Sequence, residues 1–168
     1  QSHPFTRRTA ALALLVLLAL FISACGTMSG TWPGISASDD AIYVAHGERV
    51  VALDPSNGQR LWEYPDGDNR DTTFSAIPVE QDGTVYVGDY KGRVHAINAE
   101  NGQRIWLYEP EIERLIGPLA LEAADRVLSG VAVSEDRVFT GLGSRNVIAL
   151  DRETGALDWT FETEHGVW

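Results

Sequence analysis

Cysteine, basic side chains and long apolar runs are all scarce in this chain of 168 residues. It contains one cysteine, Cys25, so no disulfide can form within it. Its 13 basic residues face 24 acidic ones, for a formal charge of −11, and such a surface repels phosphate backbones, which argues against binding nucleic acid. The longest apolar run, residues 10–22, is shorter than the roughly 20 residues of a membrane-spanning helix.

That apolar run has the features of an export signal. Arg7 and Arg8 precede it, and it ends in Ile22-Ser23-Ala24-Cys25, a tetrapeptide that resembles a bacterial lipobox. We therefore expect a signal-peptide helix in residues 1–24, lipidation of Cys25, and a small-residue tether over residues 25–33. The alternative is an ordinary secretion signal with an incidental cysteine. Either reading predicts an exported protein, and lipidation would make the membrane one of its partners.

The rest of the chain is dominated by one segment that occurs three times. The copies are residues 50–64 (VVALDPSNGQRLWEY), 94–108 (VHAINAENGQRIWLY) and 147–161 (VIALDRETGALDWTF). In each copy Gly follows Ala by six residues, Trp follows it by ten, and an aromatic lies two residues beyond Trp. The repeated positions are Ala52, Gly58, Trp62, Ala96, Gly102, Trp106, Ala149, Gly155 and Trp159.

Each copy reads as two β-rich strands around a polar turn whose Gly accepts a positive φ. A further strand with the same pattern precedes each copy: Ile42–Ala45, Val85–Gly88 and Val138–Gly141. Candidate fourth strands come before these, at Gly34–Ala37, Ala76–Val79 and Gly130–Val133. The sequence therefore predicts four strands in every repeat.

Four-stranded repeats spaced 44 and then 53 residues apart are typical of β-propeller blades. A β-helical solenoid has a shorter period, and an immunoglobulin-like sandwich does not repeat internally. We predict an all-β propeller of four-stranded antiparallel blades at about 34–65, 74–109 and 130–163, with a fourth beginning near 165. Because propellers close with about four to eight blades, three leave the ring incomplete, and we expect the N-terminal part of a longer protein.

The motif Tyr-Val-Gly, Gly-x-Val-x-Ala-x-Asn, Asn-Gly-x-x-x-Trp, found at residues 86–106, resembles the pyrroloquinoline-quinone-type (PQQ-type) propeller repeat. The resemblance covers residues 34–168. It implies that Trp62, Trp106 and Trp159 pack between neighbouring blades. It also implies similarity to the propeller lipoproteins of the outer-membrane barrel-assembly machinery, which are not enzymes. On that parallel we expect a non-catalytic scaffold for other envelope proteins, with contact surfaces at residues 109–129 and 65–71.

Two other functions remain open. In quinoprotein dehydrogenases with this repeat, the resemblance implies an axial quinone with a Trp stack, a Ca²⁺ ion, an Asp base and a pair of adjacent cysteines. No cysteine pair is present, and Trp32 and Trp168 are the only tryptophans outside the repeat register, so we expect no PQQ or calcium site in this segment. A dehydrogenase of this type would carry its cofactor residues in further blades beyond Trp168. The third possibility is an extracellular sensor or carbohydrate-binding propeller.

Isolated motifs add no catalytic or metal site. The acidic loop 66–71 lacks the oxygen ligand, Gly and Glu that an EF-hand requires at its fifth, sixth and twelfth positions. His46, His95 and His165 share no metal-ligand spacing. Residues 112–129, which lengthen the junction before the third repeat, carry apolar side chains that we expect to dock on the propeller. These are Leu115, Ile116, Leu119, Leu121, Val127 and Leu128.

Overall fold

A computed structural model of the chain describes residues 34–67, 71–74, 76–110, 127 and 130–167. All of them belong to one compact unit, Thr31–Trp168. The predicted signal peptide, Cys25, the tether and most of the 110–129 segment lie outside the described residues. None of the described residues forms a helix of the length and apolarity needed to cross a bilayer.

Twelve strands form three antiparallel sheets, each of four consecutive strands. The first sheet contains β1 (Gly34–Ala37), β2 (Ile42–His46), β3 (Arg49–Leu53) and β4 (Arg60–Tyr64). The second contains β5 (Val79–Gln81), β6 (Thr84–Gly88), β7 (Val94–Asn98) and β8 (Arg104–Tyr108). The third contains β9 (Ala132–Val133), β10 (Arg137–Leu142), β11 (Asn146–Asp151) and β12 (Leu157–Glu162). The prediction of four-stranded antiparallel blades is confirmed.

The first strands of the three blades are neighbours, because β1 lies beside β5 and β5 beside β9. Two apolar cores fill the spaces between the sheets. One joins blade one to blade two through Tyr43, Trp62, Val87 and Ile97, and the other joins blade two to blade three. Each sheet thus buries its face on the next, as blades of a propeller do.

Two predicted first strands are displaced. Ala76–Val79 was predicted as a strand, but β5 occupies Val79–Gln81. Pro78 explains the shift, because proline has no N–H to donate to a strand ladder. The prediction Gly130–Val133 is shortened to β9, Ala132–Val133, since only those two residues pair with β10; Val131 is instead buried in the core between blades two and three.

Candidate functional site

The repeated Ala lies between two aromatic rings in every blade. Ala52 pairs with Tyr43 on one side and Trp62 on the other. Ala96 likewise lies between Tyr86 and Trp106, and Ala149 lies between Phe139 and Trp159. Residues paired across neighbouring strands share a face, and the small Ala lets the two outer rings meet above it. The ring centroids are 5.9 Å apart in blades one and two and 5.8 Å apart in blade three.

The repeated Gly receives the Trp of the preceding blade. A Cβ added to Gly102 would lie 2.9 Å from the Trp62 ring, and one added to Gly155 would lie 2.5 Å from the Trp106 ring. The same two indoles donate hydrogen bonds to the carbonyls of Ala99 and Arg152, at 2.8 and 2.9 Å. Each Gly also has a φ of 73°, so its position requires glycine for both backbone and packing reasons.

Trp159 differs from its two counterparts. Trp62 and Trp106 are 7% and 8% exposed, whereas Trp159 is 42% exposed and Phe161, two residues on, is 62% exposed. Trp62 and Trp106 are each covered by the blade that follows their own, and no blade following blade three lies among the described residues. The packing of Trp159 between blades therefore stays a prediction.

The junction of blades one and two contains a buried polar group that has no equivalent in the other repeats. We call Tyr64, Thr72, Asp89, Arg93 and His95 the junction cluster. All five side chains belong to residues that are at most 8% exposed, and Asp89 is fully buried. In blade three the positions of Asp89, Arg93 and His95 carry Leu142, Asn146 and Ile148, so the cluster is specific to this junction.

Asp89 is the centre of the junction cluster. Its carboxylate accepts hydrogen bonds from the Arg93 guanidinium at 2.6 Å and from the backbone N–H groups of Lys91 and Arg93 at 2.8 and 3.0 Å. Burial alone would raise the pKa of Asp89, but His95 and Arg93 more than offset that effect and lower the pKa. Asp89 is thus held as a carboxylate in the protein interior.

Arg93 connects Asp89 to the segment between the blades. Its Nη2 donates to the backbone carbonyl of Asp71 and to Thr72 Oγ1, both at 2.9 Å. The exposed carboxylate of Asp71 also forms an ion pair with Lys91. The acidic loop 66–71 is therefore fixed to blade two at its Asp71 end.

His95 bridges the two blades as a neutral imidazole. Its Nε2 lies 3.2 Å from Asp89 Oδ2, and its Nδ1 lies 2.9 Å from Tyr64 Oη of blade one. Because the Asp89 carboxylate can only accept, the proton of the neutral ring lies on Nε2 and is donated to Asp89, and Nδ1 accepts from the Tyr64 hydroxyl. Burial lowers the pKa of His95; Asp89 opposes this, and Arg93 and Arg104 add to it.

Mild acid is expected to weaken this junction. The pKa of His95 is lower in the folded chain than the value near 6.5 of an exposed imidazole. The contribution of His95 to the free energy of unfolding is therefore fully present above about pH 6.5, and it declines as the pH falls towards the folded pKa. Urea unfolding of the His95→Ile variant should therefore show a smaller loss of stability between pH 7 and 5.5 than the unaltered chain. His46→Ile, which changes an exposed histidine, is the control and should keep the loss. An equal loss of stability between pH 7 and 5.5 in His95→Ile and in the unaltered chain would contradict the assignment of this pH dependence to His95.

Blades two and three are joined differently. Arg152 reaches across to blade two, where it donates to Asp82 Oδ2 at 2.7 Å, Tyr86 Oη at 3.1 Å and the carbonyl of Gln81 at 3.3 Å. This ion pair lowers the pKa of the Asp82 carboxyl. Ala99 occupies the position of Arg152 in blade two, so each junction has its own polar connection around the shared Trp–Gly contact.

The 110–129 segment contributes one described buried residue. Val127 is fully buried, and a Cβ at Gly88 would lie 2.1 Å from its side chain. Its N–H donates to the carbonyl of Asp89 at 3.0 Å. Val127 thus docks on blade two as the sequence predicts, while the other five apolar residues of that prediction lie outside the described part.

The junction cluster does not fit a calcium ion. Among the described residues no group of three or more His, Cys, Asp or Glu side chains is arranged to hold a metal. The one deeply buried carboxylate, Asp89, already accepts bonds from Arg93 and two backbone N–H groups. A guanidinium at that position repels a cation. The cluster holds blades together and offers no open coordination position.

Sequence comparison connects the chain to two groups of proteins. The family model described as outer membrane protein assembly factor BamB matches residues 27–123 and 116–167. The quinohemoprotein alcohol dehydrogenase of Comamonas testosteroni is 32% identical over 151 residues, which are 87% of this chain and 20% of that enzyme. The 1-butanol dehydrogenase (cytochrome c) of Thauera butanivorans is 32% identical over 90% of this chain and 21% of its own length. The chain thus spans about a fifth of these curated relatives.

Solved structures show the same fold. BamB from Moraxella catarrhalis matches 77% of this chain and 35% of its own, with a TM-score of 0.58 and 21% identity. The computationally designed Ika4 protein matches 85% of this chain and 79% of its own, with a TM-score of 0.63 and 19% identity. At these identities the likeness supports the fold alone.

Proposed function

The chain belongs to the family of outer membrane protein assembly factor BamB, and on that premise we propose that it forms part of a non-catalytic β-propeller that binds other proteins of the cell envelope. The observation that carries the proposal is that the buried polar side chains of the junction cluster join two blades. Asp89, Arg93 and His95 are all engaged with one another or with blade one and its connector. They serve blade packing, which leaves the exposed rims and loops for contacts with other molecules.

The outer strands offer apolar side chains on such a rim. Leu61 of β4 and Ile105 of β8 are 52% and 50% exposed, and they border one groove between blades one and two. Asp40 and Glu100 line the same groove. Exposed apolar groups beside charged ones are typical of protein-binding surfaces. With the connector 65–71 and the segment 109–129, this groove belongs to the surface that we expect partners to contact.

A lipid attached to Cys25 is the proposed membrane anchor. The Ile22-Ser23-Ala24-Cys25 sequence follows an apolar run, and a lipid on Cys25 would hold the acidic propeller at the membrane through residues 26–33. Labelling cells with a radioactive fatty acid should mark the unaltered chain, and Cys25→Ser should abolish the label. Undiminished labelling of the variant would exclude the anchor.

The proposed function is tested by disrupting the gene in its source organism. A role in envelope assembly predicts a lower amount of folded outer-membrane β-barrel proteins, measured by heat-modifiable mobility on gels, and restoration by the intact gene. Normal β-barrel levels in the disrupted strain would contradict the proposal.

The dehydrogenase alternative rests on the 32% identity to two alcohol dehydrogenases. It predicts that the disrupted strain loses alcohol-dependent dye reduction in extracts supplied with PQQ and Ca²⁺. Both readouts come from the same pair of strains, so loss of dye reduction with normal β-barrel levels would favour the enzyme.

A further inference from the structure

The junction of blades two and three contains an arginine of the chain itself. Arg152 donates to Tyr86 Oη and to Asp82 Oδ2 of blade two. It also donates to three backbone carbonyls in the turns of blades two and three. A buried tyrosine hydroxyl, a turn carboxylate and carbonyls together suit the five N–H donors of a guanidinium.

The junction of blades one and two has the same backbone without that side chain. Ala99 stands at the position of Arg152, because its carbonyl accepts from Trp62 as that of Arg152 accepts from Trp106. Both N–H groups also donate to the turn between the first two strands of their own blades. Beside the methyl group of Ala99 lies a groove of about 660 Å³, a size typical of ligand pockets.

The walls of this groove keep the acceptors of the arginine site. Tyr43 lines it and, like its counterpart in blade two, is 2% exposed. Asp40 belongs to the turn of blade one that corresponds to the turn holding Asp82 in blade two. Glu80 adds a half-buried carboxylate at a position that is Val133 in blade three. The groove therefore has one more carboxylate wall than the junction that Arg152 occupies.

The groove is acidic along its length. Asp40, Glu80, Asp82 and Glu100 line it, and none of the described residues along it is basic. Of these four, only Asp82 forms an ion pair within the described part of the chain. Burial raises the pKa of Tyr43; Ser38 opposes this, and Glu80 and Asp40 raise the pKa further. The field at this wall of the groove is thus negative and attracts a cation.

We propose that this groove binds an arginine side chain of a partner protein, at the place that the chain's own arginine takes between blades two and three. The guanidinium donates to the Tyr43 hydroxyl and to the carboxylates of Asp40 and Glu80, in a fork that lysine cannot match. Its methylene stem and the apolar residues next to it lie on Leu61 and Ile105, which border the groove. The inference rests on the proposed protein-binding function and names the side chain that the partner contributes.

Binding of a short peptide tests the proposal. A blocked Gly-Leu-Arg-Leu-Gly peptide is titrated into the full chain, and the NMR ring signals of Tyr43, identified with Tyr43→Phe, report binding. We expect binding at millimolar concentration. Replacing the arginine by citrulline, its neutral isostere, should weaken binding at least about tenfold, because the charged hydrogen bonds are lost. Equal binding of both peptides would overturn the proposal. Absence of binding would also overturn it and would point to an occupant from the chain itself.

Variants of the groove locate the site. Ala99→Arg places a guanidinium in the groove as Arg152 does at the next junction, and it should abolish peptide binding without lowering the urea midpoint. Gln59→Arg adds the same charge at an exposed position outside the groove and should bind as the unaltered chain does. Asp40→Asn with Glu80→Gln should weaken binding at least about tenfold, and this variant decides alone if Ala99→Arg does not fold. Unchanged binding in the folded variants would overturn the proposal.

The disrupted strain separates this inference from the proposed function. If disruption lowers the amount of β-barrel proteins, a gene encoding Gln59→Arg should restore it, and one encoding Ala99→Arg should restore less at equal amounts of the chain. Full restoration by Ala99→Arg would overturn the arginine site and leave the proposed function standing. Normal β-barrel levels after disruption would contradict the proposed function, and peptide binding would then decide the arginine site alone.

Discussion

Replacing Trp106 with alanine is expected to lower the free energy of unfolding by about 3–5 kcal/mol. Trp106 is 8% exposed, lies on Gly155 of the next blade and donates to the Arg152 carbonyl at 2.9 Å. The substitution would leave a cavity between two sheets that are joined largely by this core, and it would leave the Arg152 carbonyl without its indole partner. Urea or thermal unfolding of the purified chain measures the loss.

Trp159→Ala is the matched control, because it removes the same side chain from the same repeat position. Trp159 is 42% exposed and contacts Phe139 in its own blade. For this substitution we expect a loss of about 1 kcal/mol or less. Equal losses for Trp106→Ala and Trp159→Ala would show that burial between blades does not distinguish the two tryptophans.

Removing the Asp89 carboxylate is expected to be similarly damaging. Asp89→Ala leaves the Arg93 guanidinium and the His95 Nε2–H without their buried acceptor. Loss of one partner of a buried ion pair lowers stability by about 3–5 kcal/mol, because the remaining charge is uncompensated. Chemical denaturation at pH 7 measures the change. A loss below about 1 kcal/mol would mean that water reaches the junction cluster freely.

A variant that copies blade three separates the charge effect from packing. Asp89→Leu, Arg93→Asn and His95→Ile together install the residues that blade three carries at the same positions. Buried ion pairs exchanged for packed apolar groups often leave stability unchanged. We expect the triple variant to be more stable than Asp89→Ala alone. A triple variant as unstable as the single one would indicate that the polar bonds themselves are required for the blades to join.

The blade architecture is predictable from sequence because the repeat determines it locally and identically three times. The Ala–Gly–Trp spacing places Ala opposite Trp across neighbouring strands and Gly in the turn, and the structure has this arrangement in all three blades. The start of β5 differs from the prediction because the apolar pattern of residues 76–79 contains Pro78. The backbone requirement of proline is the better guide at that position.

The junction cluster was not predicted, although two signals for it are present in the sequence. His95 occupies a strand position that is Val51 and Ile148 in the other repeats, and Asp89 stands where the other repeats have His46 and Leu142. A polar residue that interrupts an apolar repeat position indicates a buried hydrogen-bond partner. Its partners, Tyr64 and Thr72, lie in another blade and a connector, and only the packed structure brings them together.

Hydrogen exchange at the indole nitrogens tests most directly whether the repeated tryptophans join the blades. The Nε1–H groups of Trp62 and Trp106 donate to carbonyls of the following blade, whereas Trp159 is exposed. In the unaltered chain we predict slow exchange for Trp62 and Trp106 and fast exchange for Trp159. Fast exchange at Trp62 and Trp106 would contradict the account, because it would show that the blades are not closed by these contacts.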